Sequence, residues 1–291
     1  MILPDFLLPS RQNQVWQESG MDSLENCFDK RHFKSYPYPV EYCYNSRGFR
    51  DAEWPDNLQH AIWCVGDSFT VGIGCPVEHT WPSVLQQQTS CRTVNVSMDG
   101  ASNNWIARRS IDIIQNITPE TLIAHWSYIE RREQPNKYLD QAWDQFYATI
   151  RDPQWPENVK LENFNILPVH IQNEILTEYG QEWKCGLSDE QLRLPYIKST
   201  DEEDIKNTIN CIESVNQAAG SVKVIHSFIP QFVNKSYKHL FDSQLAKTSN
   251  SLIIPEFKPI DLARDGHHYD IATANKFVEL IIKLGDFDDP T

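Results

Sequence analysis

Ala61-Ile62-Trp63-Cys64-Val65-Gly66-Asp67-Ser68-Phe69-Thr70 is the stretch on which the fold turns. Its first five residues are apolar and rich in aromatic and β-branched types, as a strand covered on both faces must be, and the glycine that follows permits a sharp exit from the sheet. Four other short runs share this character: Thr93–Val96, Thr121–Trp126, Val222–Ile229 and Ser251–Ile254. Segments with helical spacing separate them. In 103–117, Ile106, Ile111, Ile113, Ile114 and Ile117 fall on one side, and Thr118-Pro119 stops the run because the residue before a proline avoids the helical region. In 271–284, Ala274, Phe277, Val278, Ile281 and Ile282 repeat the pattern, with Gly285 as the expected C-cap. The alternation predicts an α/β protein, a three-layer α/β/α sandwich on a five-stranded, mainly parallel, flavodoxin-like sheet.

Two regions fall outside the alternation. Residues 1–60, rich in Pro, Tyr, Asn and charge, read as an N-terminal extension packed on the core, with SYPYPVEY as extended chain. The core itself spans 61–291 and is interrupted by an insertion at about 131–220. That insertion holds Trp143, Trp155 and Trp183 and ends in an acidic helix, Asp201–Ala219, which Thr200 is placed to cap.

Composition removes several function classes. Against 26 Lys and Arg stand 40 Asp and Glu, a net charge of −14, so the surface repels phosphate backbones; neither nucleic acid nor an anionic membrane is expected as a partner. No run approaches the roughly 18 apolar residues of a membrane span. The start, MILPDFLLPSRQNQ, lacks the basic region and small-residue cleavage site of a secretory signal. Seven cysteines without a CxxC pair argue against a disulfide framework or a thiolate metal site, and reduced thiols in a cytoplasm are the expectation. Cys64, inside the first strand, reads as a buried, inert thiol.

The chemistry concentrates in two places. Ser68 follows the first strand, at the edge where parallel sheets present ligands. Asp265-Gly266-His267-His268-Tyr269 lies between the last strand and the last helix. A serine hydroxyl becomes nucleophilic when an imidazole takes its proton, and the imidazole needs a carboxylate to fix its tautomer. Either segment alone has a plainer explanation: Asp67 or Ser68 capping a helix, Asp265 capping a turn beside solvated histidines. Their joint presence gives the catalytic reading its weight.

With these residues in view, the sequence from Asn45 to Leu284 resembles the SGNH or GDSL hydrolases, a family of serine esterases, lipases and carbohydrate acetylesterases. Gly66-Asp67-Ser68-Phe69-Thr70 looks like the family's first block, which implies Ser68 as nucleophile and its N–H as an oxyanion donor. Gly100, in Asn95-Val96-Ser97-Met98-Asp99-Gly100, looks like the second block's glycine, implying a second N–H donor. Asp265-Gly266-His267-His268 is similar to the final DxxH block, implying His268 as base and Asp265 as its orienter. Asn45-Ser46-Arg47-Gly48-Phe49-Arg50 looks like an NxxGFR segment found in some members.

The third block departs from the pattern. The family has GxND after the third strand, its asparagine serving as a further oxyanion donor, whereas this chain reads His125-Trp126-Ser127-Tyr128-Ile129-Glu130-Arg131-Arg132. Ser127 is the expected substitute; Tyr128, Arg131 and Arg132 are alternatives, the arginines reading more simply as solvated ion pairs. The resemblance implies an esterase working through an acyl-enzyme without cofactor or metal. His267, His268 and Asp270 lack a second ligand cluster, and no GxGxxG or GxxxxGK[ST] loop is present. Polar and aromatic flanks point to a small acyl group, such as acetyl, on a small-molecule or carbohydrate alcohol. The alternative is a degenerate domain of the family that binds glycan without turnover.

Overall fold

The computed structural model describes residues 8, 11–27, 30–129, 131–135, 146–149, 201–229, 235–248, 251–254 and 257–287. In chain order the strands and helices are β1 (Val15–Trp16), β2 (Tyr42–Cys43), β3 (Ile62–Gly66), α1 (Ser68–Val71), α2 (Trp81–Thr89), β4 (Thr93–Ser97), α3 (Asn103–Ile117), β5 (Thr121–Trp126), β6 (Arg132–Pro135), β7 (Phe146–Thr149), α4 (Asp201–Ala218), β8 (Lys223–Phe228), α5 (Lys235–Leu245), β9 (Leu252–Ile253) and α6 (Ile271–Gly285). Five of them, in the spatial order β4-β3-β5-β8-β9, make one sheet in which every pairing is parallel. This is the flavodoxin-like order that the sequence predicts.

Alternation along the strands sorts the core into two layers, since successive side chains leave opposite faces. Trp63, Val65, Val94, Val96, Leu122, Ala124 and Trp126 pack beneath α3 and α4, with Trp105, Ile106, Ile113 and Ile212 from those helices. Ile62, Cys64, Ile123 and Ile225 meet α2 and α6 through Trp81, Leu85, Phe277, Val278 and Ile281. Cys64 is buried there, and burial pushes its thiol well above the usual range.

Helix ends follow local chemistry. The Ser102 side chain accepts from Trp105 N–H at 3.2 Å to open α3, and Thr118, in the left-handed region at φ 52°, closes it. The last helix departs from expectation. Gly285 is its final residue, and Asp286, at φ 51°, takes the left-handed cap. The glycine serves close packing: a Cβ there would stand 2.4 Å from Phe287 Cε2 and 3.0 Å from Ile225 Cδ1. Helices α2 and α5 lie outside the elements predicted from periodicity, although Thr80 before Trp81-Pro82 is a legible start signal for α2, with its hydroxyl accepting from Ser83 N–H.

Of the 131–220 insertion, the described residues form an antiparallel pair, β6 with β7, and α4. Trp143, Trp155, Trp183 and Thr200 lie outside the described residues. In the N-terminal segment β1 pairs with β2, and Val40, Tyr42 and Tyr44 pack on Val71 and Ile73, at and just beyond the end of α1. Among the described residues no helix is long and apolar enough to cross a membrane. The order of the sheet brings the carboxyl ends of β4, β3 and β5 side by side, where the chain reverses its direction of travel across the sheet; sites in such folds form along this edge.

Candidate active site

Ser68 is the first residue of α1, two positions beyond the end of β3. Its placement depends on Asp67, whose Oδ1 accepts from Phe69 N–H at 3.0 Å as an N-cap, while Gly72, at φ 79°, closes the single turn. Ser68 Oγ stands 2.8 Å from His268 Nε2. On the far side of that ring, Nδ1 is 2.5 Å from Asp265 Oδ2. The other carboxylate oxygen of Asp265 accepts from the N–H groups of His267 and His268, at 2.9 and 3.0 Å. Serine, histidine and aspartate thus form one chain of contacts, with Nδ1–H donating to Asp265 and Nε2 left to accept from the serine hydroxyl.

All three side chains are buried, Ser68 completely. Burial alone would raise the Asp265 carboxyl; the charge and hydrogen bond of His268, with the His267 N–H, outweigh it and hold the group below its usual value. His267 and His268 point apart, their ring planes at 87°. His267 Nε2 instead meets the Tyr128 hydroxyl at 3.0 Å. Burial, reinforced by the neighbouring His268, pushes His267 down to about 4, so its ring is neutral. The ring of Phe69, next to Ser68 in the chain, packs against those of Tyr128, His267, His268 and Tyr269.

Gly100 sits in the turn after β4, at φ 70°, with Ala101 N–H bonded back to Met98 O at 3.1 Å. Since Gly66 and Ser97 are register partners, that turn leaves the sheet next to the one carrying Ser68.

Ser127 is held elsewhere than expected. Its hydroxyl donates to Asp67 Oδ2 at 2.7 Å and accepts from Arg131 Nη1 at 2.7 Å. A hydroxyl has one proton, and here a carboxylate holds it, so Ser127 has none left to donate to an oxyanion. Asn103 secures the same segment: its Oδ1 accepts from Ser127 N–H at 2.8 Å, and its Nδ2 donates to Thr208 Oγ1 at 3.0 Å. Arg131 also departs from the solvated reading. It is 4% exposed and pairs with the fully buried Asp67, Nη1 to Oδ2 at 2.7 Å. Nothing in the local sequence announces this pair, because its partners are 64 residues apart.

No family model matches the chain, and no curated protein does. Solved structures that are similar in fold include a protein assigned to the G-D-S-L lipolytic family from Desulfitobacterium hafniense, 13% identical over 77% of this chain and 99% of that one, with a TM-score of 0.43. An esterase from Pseudoalteromonas sp., solved with monoethylphosphonate as inhibitor, is 10% identical over 78% and 97%, at 0.41. A catalytic mutant of an acetylxylan esterase from Geobacillus stearothermophilus is 12% identical over 79% and 95%, at 0.41. At these values the functional reading rests on the site itself.

Proposed function

We propose that this chain is an SGNH-type serine hydrolase that cleaves carboxylic esters. The observation that carries the reading is the unbroken series Ser68 Oγ, His268 Nε2, His268 Nδ1, Asp265 Oδ2, with contacts of 2.8 and 2.5 Å. Ser68 Oγ attacks the ester carbonyl carbon and passes its proton to His268 Nε2. The resulting oxyanion is received by the N–H groups of Ser68 and Gly100. Collapse expels the alcohol, which takes the proton from His268, and leaves an acyl-serine. Water, deprotonated by the same nitrogen, then releases the carboxylic acid and restores Ser68. Asp265 stays ionised throughout, as its lowered pKa favours, and steadies the imidazolium.

The completely buried serine suits a short acyl group such as acetyl, and the aromatic rings packed around Phe69 beside His268 suit a sugar alcohol. The substrate in this reading is therefore a small-molecule or carbohydrate ester. Turnover of p-nitrophenyl acetate, butyrate and octanoate tests it: kcat/KM falls with acyl length, and a rise toward octanoate contradicts the short-acyl assignment. One observation favours a second reading, glycan binding without turnover. With its hydroxyl proton held by Asp67, Ser127 does not supply the third oxyanion donor of the family.

A further inference from the structure

The N-terminal segment reaches the site through a closed ring of hydrogen bonds. Gly74 N–H donates to the Tyr42 hydroxyl at 2.7 Å, and Tyr42 donates onward to Asp22 Oδ2 at 2.6 Å. The same oxygen accepts from Arg264 Nε at 3.2 Å, and Arg264 N–H returns to Gly74 O at 3.1 Å. All four residues are buried or nearly so, and the ring joins three stretches remote in sequence. Arg264 immediately precedes Asp265. Gly74 lies against the Asp265 carboxylate: a Cβ on Gly74 would be 3.1 Å from Cγ and 3.2 Å from Oδ1 of Asp265.

A second set of bonds holds the Gly74 side of the ring. The buried Arg50 guanidinium donates to the carbonyl oxygens of Val71, Gly72 and Cys75, and stacks 4.2 Å over the Tyr42 ring. The loop after the nucleophile's helix is thereby fixed from residues before the sheet begins. The Asp22 carboxyl is raised by burial, and the nearby Asp265 charge adds to the rise, which places the two carboxylates within mutual influence.

We infer that Tyr42 and Asp22 are positioning residues for the candidate triad, holding Asp265 in line with His268 by clamping Gly74 on one side and Arg264 on the other. This deepens the hydrolase reading and rests on it for its catalytic consequence. The geometry it asserts is independent of turnover. Tyr42 touches no reacting atom; its hydroxyl accepts one bond and donates one, and phenylalanine supplies neither. With the hydroxyl gone, Gly74 N–H loses its acceptor and Asp22 one of its donors in a buried setting, and the loop relaxes toward Asp265.

The test is made on the full chain as Tyr42→Phe and, should that variant fail to fold, as Asp22→Asn. The His268 Nδ1–H proton, bonded to Asp265, gives a far-downfield NMR resonance that requires no ester. It is expected in the wild type and is expected to move upfield or broaden away in either variant. In parallel, kcat for p-nitrophenyl acetate, normalised to folded protein, is expected to fall about tenfold or more with KM changed less than about twofold, because a displaced orienter harms the transition state more than binding. An unchanged resonance and kcat in the variants, even with a lowered melting temperature, would show a merely structural ring and overturn the inference. A wild type lacking the resonance also overturns it. A wild type with the resonance but without turnover defeats the hydrolase reading alone.

Discussion

Arg131 and Asp67 form a buried ion pair, Nη1 to Oδ2 at 2.7 Å, directly behind the candidate nucleophile. The carboxylate has two tasks: one oxygen caps the turn that begins with Ser68, and the other gathers Arg131 and the Ser127 hydroxyl. The arginine lies just past the carboxyl end of β5 and faces the cap of the helix that begins with Ser68. Positive charge here steadies the carboxylate that shapes the serine's backbone.

Removing that charge strands Asp67. Breaking a buried pair by deleting one partner costs about 3–5 kcal/mol, because the other charge stays buried. Arg131→Met is expected to lower the urea midpoint accordingly and to lower kcat, while Arg131→Lys recovers part of both. Equal stability of the methionine variant and the wild type would contradict the assignment.

Ser127→Ala separates two roles that sequence alone leaves open. An oxyanion donor is worth about 10²–10³ in kcat. A hydroxyl bonded to a buried carboxylate is worth about 1–3 kcal/mol of stability when removed. The structure predicts the second outcome, a destabilised variant whose kcat stays within about tenfold of wild type. A loss of 10² or more with unchanged stability would return Ser127 to the oxyanion site.

Gly74→Ala tests the contact between the nucleophile loop and Asp265 from the other direction. The residue stands at φ 81°, where a side chain costs about 1–2 kcal/mol, and the new methyl would crowd Asp265. A lower melting temperature and a lower kcat are expected together. A variant matching wild type in both would mean that the loop has room the structure does not show.

Buried histidines set an acid limit on the fold. Burial lowers His125 and His226 to about 4, as it does His267. An unfolded imidazole titrates near about 6.5, so the unfolded chain takes up protons first as pH falls. Their stabilising contribution is complete above about 6.5 and is lost on descent toward 4. Asp51 acts in the opposite sense, since burial raises it to about 6, above its unfolded value, and its contribution grows as pH falls below 6. Because the terms oppose, the clean readout is residue-specific: the ring protons of His125 and His226 should keep their neutral shifts at pH 5.5 in the folded protein. His226 accepts from Trp126 Nε1 at Nδ1 and faces Asn216 Oδ1 with Nε2, which fixes its tautomer. Titration of either ring near 6.5 would contradict its burial.

How much of this could be read from residues alone follows the range of the interactions. All five strands of the main sheet and the helix at Asn103–Ile117 were legible because periodicity, Ser102 and Thr118-Pro119 are local signals. That Ser68, Asp265 and His268 meet was legible because each sits at a strand–helix junction with a characteristic neighbour. The roles of Asp67, Arg131, Tyr42 and Asp22 were not, since each depends on a partner tens or hundreds of residues away and on burial that composition does not report. Gly285 misled for a different reason: glycine marks both a left-handed cap and a close approach, and only packing against Ile225 and Phe287 tells them apart.

The central claim is that Ser68 is an activated nucleophile. Incubation of the full-length protein with a small fluorophosphonate, followed by intact-mass and peptide mapping, tests it without any assumption about substrate. The account predicts a single adduct on Ser68, absent from Ser68→Ala and formed far more slowly in His268→Ala. A wild-type protein that remains unlabelled, or one labelled equally when Ser68 is alanine, would contradict it.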